Sequence, residues 1–90
     1  MYYGTAVVCG AGIDSARLDA AAPAVADKVV AWRRDIHQNP ELSNREFRTS
    51  ALVAEHLTKL GLEVRTKIAH TGVAGVVRGG RPGPVLALRA

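Results

Sequence analysis

The run Val85-Leu86-Ala87-Leu88 is apolar at every position, with none of the polar alternation that marks a half-buried strand. A strand of this kind is covered on both of its faces, so a fold that contains it needs one layer of structure above it and another below. The sequence ahead of it supplies two helical patterns, enough to cover one face of about three strands and too little for the other. The chain is therefore expected to stop inside a larger α/β domain.

The first helical pattern is carried by Val25, Val29, Trp32 and Ile36, which fall at i, i+4, i+7 and i+11 and so share one side of a helix. Pro23 is tolerated in a first turn, where its missing N–H has no acceptor to lose, which predicts a start near Ala22. Asn39 precedes Pro40 and is pushed out of the helical region, which predicts an end near Gln38. Ser43-Asn44-Arg45-Glu46 matches a capping box, with the Ser43 hydroxyl accepting from the Glu46 N–H and the Glu46 carboxylate from the Ser43 N–H. A second helix follows, with Phe47, Ala51, Ala54 and Leu57 along its inward side and Gly61 as the left-handed residue that ends it.

Leu62, Val64, Thr66 and Ile68 then alternate with Glu63, Arg65 and Lys67, the period of a strand with one wet face. Val73 to Arg78 reads as a second strand. Gly79-Gly80-Arg81-Pro82-Gly83 is a turn by composition, so a hairpin to a third strand over Pro84 to Arg89 is expected. The fold class read from this order is α/β, two helices followed by about three strands. Residues 1–20 form a flexible leader in this reading, and residues 21–90 an incomplete N-terminal portion of a domain.

Composition removes several function classes. Ninety residues make one small domain at most, and a chain of that size buries only about 60 to 65% of the surface its unfolded form exposes. The net charge of +4 is spread from Arg17 to Arg89 with acids interleaved. A nucleic-acid binder gathers its positive charge against closely spaced phosphates, so no nucleic-acid partner is expected. Cys9 is the only cysteine, which excludes an intrachain disulfide and a multi-cysteine zinc site. Thr5 to Ile13 is too short to span a bilayer and no Lys or Arg precedes it, so a cytoplasmic chain with no membrane association is expected. Gly10-Ala11-Gly12-Ile13-Asp14-Ser15 approaches a dinucleotide fingerprint, but Ser15 stands where the third small residue belongs and no strand–helix–strand unit follows in register.

Three stretches carry a family resemblance over residues 25 to 90. Trp32-Arg33-Arg34-Asp35-Ile36-His37-Gln38-Asn39-Pro40-Glu41-Leu42, followed by Glu46, resembles the R-R-x-x-H-x-x-P-E-L-x-x-x-E opening of metal-dependent amidohydrolases. The branch is that of hippurate hydrolases, N-acyl-amino-acid deacylases and plant auxin-conjugate hydrolases. Gly61-Leu62-Glu63-Val64 and Thr71-Gly72-Val73-Ala74-Gly75-Val76 are similar to the starts of its first two strands. Gly80 to Ala90 is similar to the stretch that leads into its R-A-D-M-D-A-L-P motif, of which Arg89-Ala90 are the first two residues. Several spaced motifs in the right order are far more specific than any one of them.

The resemblance implies a catalytic α/β domain in which two divalent ions, zinc or manganese, bridge a water that attacks the amide of an N-acyl amino acid, with a carboxylate as general base. It also implies that the Cys, His and Glu ligands and that base lie downstream of the R-A-D-M-D-A stretch, so the remainder of the catalytic domain is the missing partner. No catalytic, cofactor-binding or metal-ligating residue is assigned within these ninety. His37, His56 and His70 are separated by 19 and 14 residues on different expected elements, without the spacing of a metal-binding pair. His37 reads as a helix-terminal structural residue, His56 as a helix-surface residue and His70 as a turn residue. Glu41 and Glu46 sit at or before a helix start, where negative charge is favoured, and read as caps. The reading from a different class is a freestanding α+β interaction module that binds a partner through its sheet.

Overall fold

The computed structural model describes residues 14–90. They form α1 (Ser15–Gln38), α2 (Phe47–Lys59), β1 (Glu63–Ile68) and β2 (Gly72–Val76). The chain divides into two compact units, one up to Asn39 and one over Pro40–Ala90.

In the first unit, α1 begins seven residues ahead of the Ala22 start expected from Pro23, and the proline lies inside it. The cause is local. Asp14 is an N-cap whose carboxylate accepts from the Arg17 N–H at 3.2 Å, and the Ala-rich segment behind it is a strong helix former. Together these hold two turns of helix ahead of the one backbone hydrogen bond that Pro23 removes. Ser15 to Ala20, placed in the leader by sequence, are thus helical; Thr5 to Ile13, Cys9 and Gly10-Ala11-Gly12 lie outside the described residues. The other end falls at Gln38 as the Asn39-Pro40 step predicts, and Asn39 closes it with its N–H on the Asp35 and Ile36 carbonyls and its amide on the Asp35 carbonyl at 2.9 Å. Val25, Val29, Trp32 and Ile36 do share one side of this helix, but none of its residues is buried.

The second unit is built on the end of α2. Leu60 is its C-cap, Gly61 follows at φ +81°, the Gly61 N–H donates to the Thr58 carbonyl at 2.9 Å and the Leu62 N–H to the Leu57 carbonyl at 3.2 Å. That pair of bonds is a Schellman motif, and it turns the chain straight into β1. β1 and β2 pair antiparallel, with Glu63 opposite Val76, Val64 opposite Gly75 and Arg65 opposite Ala74, and the register shifts between Arg65 and Ile68. Lys67 at the end of β1 and the connecting residues Ala69 and His70 all have positive φ. A Cβ on Gly72 would come within 2.4 Å of the Ile68 carbonyl oxygen, so only glycine fits where the second strand leaves this turn.

α2 covers one face of the hairpin. Leu57 and Leu62 lie over Gly75, where an added Cβ would meet their methyls at 3.1 and 3.4 Å. Ala54, Leu57, Leu62, Val64 and Val73 are half-buried on this side, while Phe47 and Ala51, expected on the inward side of α2, are exposed. The difference is one of reach: two short strands extend under the C-terminal half of the helix, and its first turn looks instead onto the hairpin turn.

The third strand expected over Pro84 to Arg89 does not form; beyond Val76 the chain has no helix or strand, and Val85, Leu86 and Leu88 are 97%, 79% and 91% exposed. An apolar strand is held by backbone partners and by cover on its faces, and the described residues supply neither to Val85–Leu88. The α/β class stands with two strands rather than three. No described helix is long and apolar enough to cross a membrane.

Candidate functional site

The densest polar arrangement surrounds the residues between Pro40 and the first turn of α2. Glu41 lies outside the helix, yet its carboxylate does the work of an N-cap: Oε2 accepts from the Arg48 N–H at 2.8 Å and Oε1 from the Thr49 N–H at 2.7 Å, the second and third residues of the helix. The Thr49 hydroxyl adds a third bond to Oε1 at 2.7 Å. These are free N–H groups at the positive end of a helix, and an ionised carboxylate is their best acceptor.

Glu46 occupies the N-cap position itself but makes no side-chain bond to the helix. Its Oε1 accepts from the Asn44 N–H at 2.9 Å, which bends the loop through Asn44 at φ +62°. Its Oε2 accepts from the Thr71 hydroxyl at 2.7 Å, 25 residues away at the hairpin turn. The capping box read from Ser43 to Glu46 is thereby corrected: Glu46 reaches Asn44 rather than Ser43, and Glu41 caps the helix. The reason is register: the helix starts at Phe47 with Glu46 as its N-cap, so the free N–H groups at its start are those of Arg48 and Thr49, which the Glu41 carboxylate reaches.

Both carboxyls are held below their usual range. For Glu41 the Thr49 hydroxyl bond is the chief cause, opposed by desolvation and supported by the Arg48 and Thr49 N–H groups. For Glu46 it is the Thr71 hydroxyl bond, with desolvation and the nearby charge of Glu41 acting the other way. A general acid needs the opposite perturbation, so these groups act as ionised acceptors that tie loop, helix and hairpin together.

The three histidines lie on different elements. His37 is in the last turn of α1 and His56 in the last turn of α2, where a basic side chain suits the negative helix end. His70, in the hairpin turn, stands edge-on to the Phe47 ring with centroids 5.5 Å apart. Phe47 and His70, with Ser50, Ala51, Lys67 and Thr71, line an open hollow of about 320 Å³ whose lining carries an ammonium, an imidazole and hydroxyls but no carboxylate or thiol. Among the described residues no three His, Cys, Asp or Glu side chains are grouped so that they could hold a metal ion. The donor set present does not fit a divalent ion, still less a bridged pair.

Sequence reasoning missed Thr49 and Thr71 as partners of the two glutamates. Thr49 sits at the third residue of the helix, where a hydroxyl facing a preceding acid is a readable signal. Thr71 is brought in only by the hairpin and carries no local signal.

Comparison with known proteins gives the remaining observation. No protein-family model and no solved structure matches the chain. Among curated proteins it is 51% identical over 67 residues to thermostable carboxypeptidase 2 of Saccharolobus solfataricus, a match covering 73% of this chain and 17% of that protein. It is 45% identical over 71 residues to an IAA-amino acid hydrolase of Arabidopsis thaliana, covering 79% and 16% of the two chains. With the N-acetyl-L-cysteine deacetylase of Bacillus subtilis the identity is 40% over 63 residues, covering 70% and 15%. The chain thus spans about a sixth of the length of the relatives it matches. Carboxypeptidases, deacetylases and conjugate hydrolases agreeing over one stretch place these ninety residues in the amidohydrolase branch that the motif from Trp32 to Glu46 resembles, and the chain belongs to that family as a segment of its N-terminal part.

Proposed function

We propose that these residues are the N-terminal part of the catalytic domain of an amidohydrolase that, when intact, hydrolyses the amide bond of N-acyl amino acids or related conjugates with a pair of divalent ions, zinc or manganese. On this reading the ninety residues alone do not carry out the reaction; metal ligands and general base belong to the five sixths of the family's length that they do not span. The observation that carries the reading is the 51% identity over 67 residues to a carboxypeptidase. The names of two further relatives, an IAA-amino acid hydrolase and an N-acetyl-L-cysteine deacetylase, support amide-linked amino acids as the substrate class. The use of Glu41 and Glu46 as hydrogen-bond acceptors supports a positioning role for these two carboxylates. What its residues supply is position: Glu41 fixes the start of α2, and Glu46 ties that start to the hairpin turn.

The test is an assay of the ninety-residue chain against N-acetyl and indole-acetyl amino acids with zinc or manganese, beside a chimera in which residues 25–90 replace the corresponding segment of one of these relatives. The isolated chain is expected to show no turnover and the chimera to hydrolyse the relative's substrate. Metal-dependent turnover by the ninety residues alone overturns the reading, as does an inactive chimera that is folded and metal-loaded.

A further inference from the structure

The turn between β1 and β2 is built from residues that its backbone does not suit. Between the pairs Arg65–Ala74 and Ile68–Gly72 two residues of β1 stand against one of β2, which is a bulge, and Lys67 within it has φ +58°. Ala69 and His70 follow at φ +45° and +89°. Hairpin turns with two consecutive positive φ values favour pairs such as Asn-Gly or Gly-Gly, because glycine has no Cβ to crowd the carbonyl and asparagine can bond locally through its amide. Alanine has neither advantage, so Ala69 carries the strain in its plainest form. A strained backbone of this kind persists only where its surroundings hold it.

Two contacts hold this turn, and on each side they come from consecutive residues. Glu46 accepts from the Thr71 hydroxyl at 2.7 Å in a part-buried bond, and Phe47 next to it stands in a T-shaped arrangement with His70, ring centroids 5.5 Å apart and planes at 79°. The N-cap and first residue of α2 thus grip the last two residues of the turn. The other oxygen of Glu46 accepts from the Asn44 N–H at 2.9 Å, and Asn44 is itself at φ +62°. One carboxylate therefore spans two left-handed segments, the loop before α2 and the hairpin turn. All of these residues lie in the compact unit Pro40–Ala90, and each contact has both of its partners there.

We propose that Glu46-Phe47 and His70-Thr71 form a clasp that holds the hairpin turn in its left-handed conformation, so that the loop before α2 and the turn after β1 change conformation as one unit. With the clasp closed, Ala69 is kept at positive φ. With it open, the turn relaxes to negative φ, and the carboxylate that bends the loop at Asn44 loses its second anchor. This is a conformational device and goes beyond the hydrolytic reading above.

Amide exchange of the ninety-residue chain, read at the β1–β2 pair, tests this. Ala69→Gly removes the Cβ that the left-handed backbone crowds and is expected to slow exchange about two- to fivefold, the left-handed penalty less the chain entropy that glycine adds. With the clasp opened by Thr71→Val, Ala69 is no longer held at positive φ, and the same substitution is expected to bring no slowing. Thr71→Ser, which keeps the hydroxyl, preserves the effect, and so does Glu41→Gln, which loosens the start of α2 through other bonds. A second measurement reads the backbone directly and does not depend on how Thr71→Val folds. The intraresidue amide-to-Hα cross-peak of Ala69, intense where φ is positive, is expected to be strong in the unsubstituted chain and to weaken in Phe47→Leu, which opens the other point of the clasp. Slowing by Ala69→Gly that is absent from the unsubstituted chain, or equal with and without Thr71→Val, overturns the proposal. So does a weak cross-peak in the unsubstituted chain, or one that Phe47→Leu leaves unchanged.

Discussion

Glu46 bonds both to the loop that carries it and to a threonine 25 residues on, and its charge matters more than its position in the chain. Its native pKa lies below the usual carboxyl range, chiefly through the Thr71 hydroxyl, and that of Glu41 is lowered chiefly by the Thr49 hydroxyl. For a depressed carboxyl the sign is fixed by linkage. The unfolded chain takes up the proton first, so the stabilisation is complete above the ordinary carboxyl range and fades as pH falls through the native value. We expect α2 to lose helical signal on acidification from about pH 6 to about pH 3, with Glu41→Gln and Glu46→Gln each making that dependence shallower in a circular-dichroism titration. Thr71→Val is expected to speed amide exchange in the 40–46 loop while leaving Arg48 and Thr49 protected, since those two N–H groups belong to Glu41. At this scale the sequence was half legible. That both glutamates are acceptors followed from their place before a helix; which donors they take did not, because the helix starts at Phe47 and so puts the Arg48 and Thr49 N–H groups in reach of Glu41, and Thr71 arrives through the hairpin.

At the scale of elements, the stops were easier to read than the starts. Asn39-Pro40 and Leu60-Gly61 end their helices where a steric rule and a left-handed glycine say they must. The start of α1 differs: Pro23 alone predicts a first turn, while Asp14 and the alanines behind it hold two further turns. Pro23→Ala separates the two boundaries. In a helix that starts at Ser15 it restores an interior hydrogen bond, with up to about 3 kcal/mol of helix stability to gain, and helical signal should rise; in a helix that starts at Ala22 it changes little. Gly61 at φ +81° has no heavy atom within 4 Å of an added Cβ, so Gly61→Ala is expected to cost only the left-handed backbone penalty, about 1 kcal/mol, readable as a lower denaturation midpoint. Gly75 is the reverse case, with unexceptional backbone and Leu57 and Leu62 pressed against it. Gly75→Val should cost about 1 to 3 kcal/mol through overpacking, lifting α2 from the hairpin and speeding amide exchange in β1.

For the whole molecule the governing fact is burial. No described residue is buried, and Leu42, Phe47, Leu60, Val77, Val85, Leu86 and Leu88 are each more than half exposed. The all-apolar run that opens the sequence argument reads as a strand in need of cover, and the structure has no strand there. What sequence could not convey is that such a strand stays unformed until the cover exists, because backbone pairing and burial of the faces come together or not at all. Cooperative unfolding requires a set of mutually dependent buried contacts, and net stability is a small remainder after conformational entropy is met. Half-buried contacts among Ala54, Leu57, Leu62, Val64 and Val73 give a single chain too little of that remainder for a sharp transition. At low concentration we therefore expect a broad thermal melt followed at 222 nm, strong binding of a hydrophobic dye before heating, and few slowly exchanging amides outside α1, α2 and the β1–β2 pair. A chain that melted sharply as a monomer, without dye binding, would instead be the freestanding interaction module.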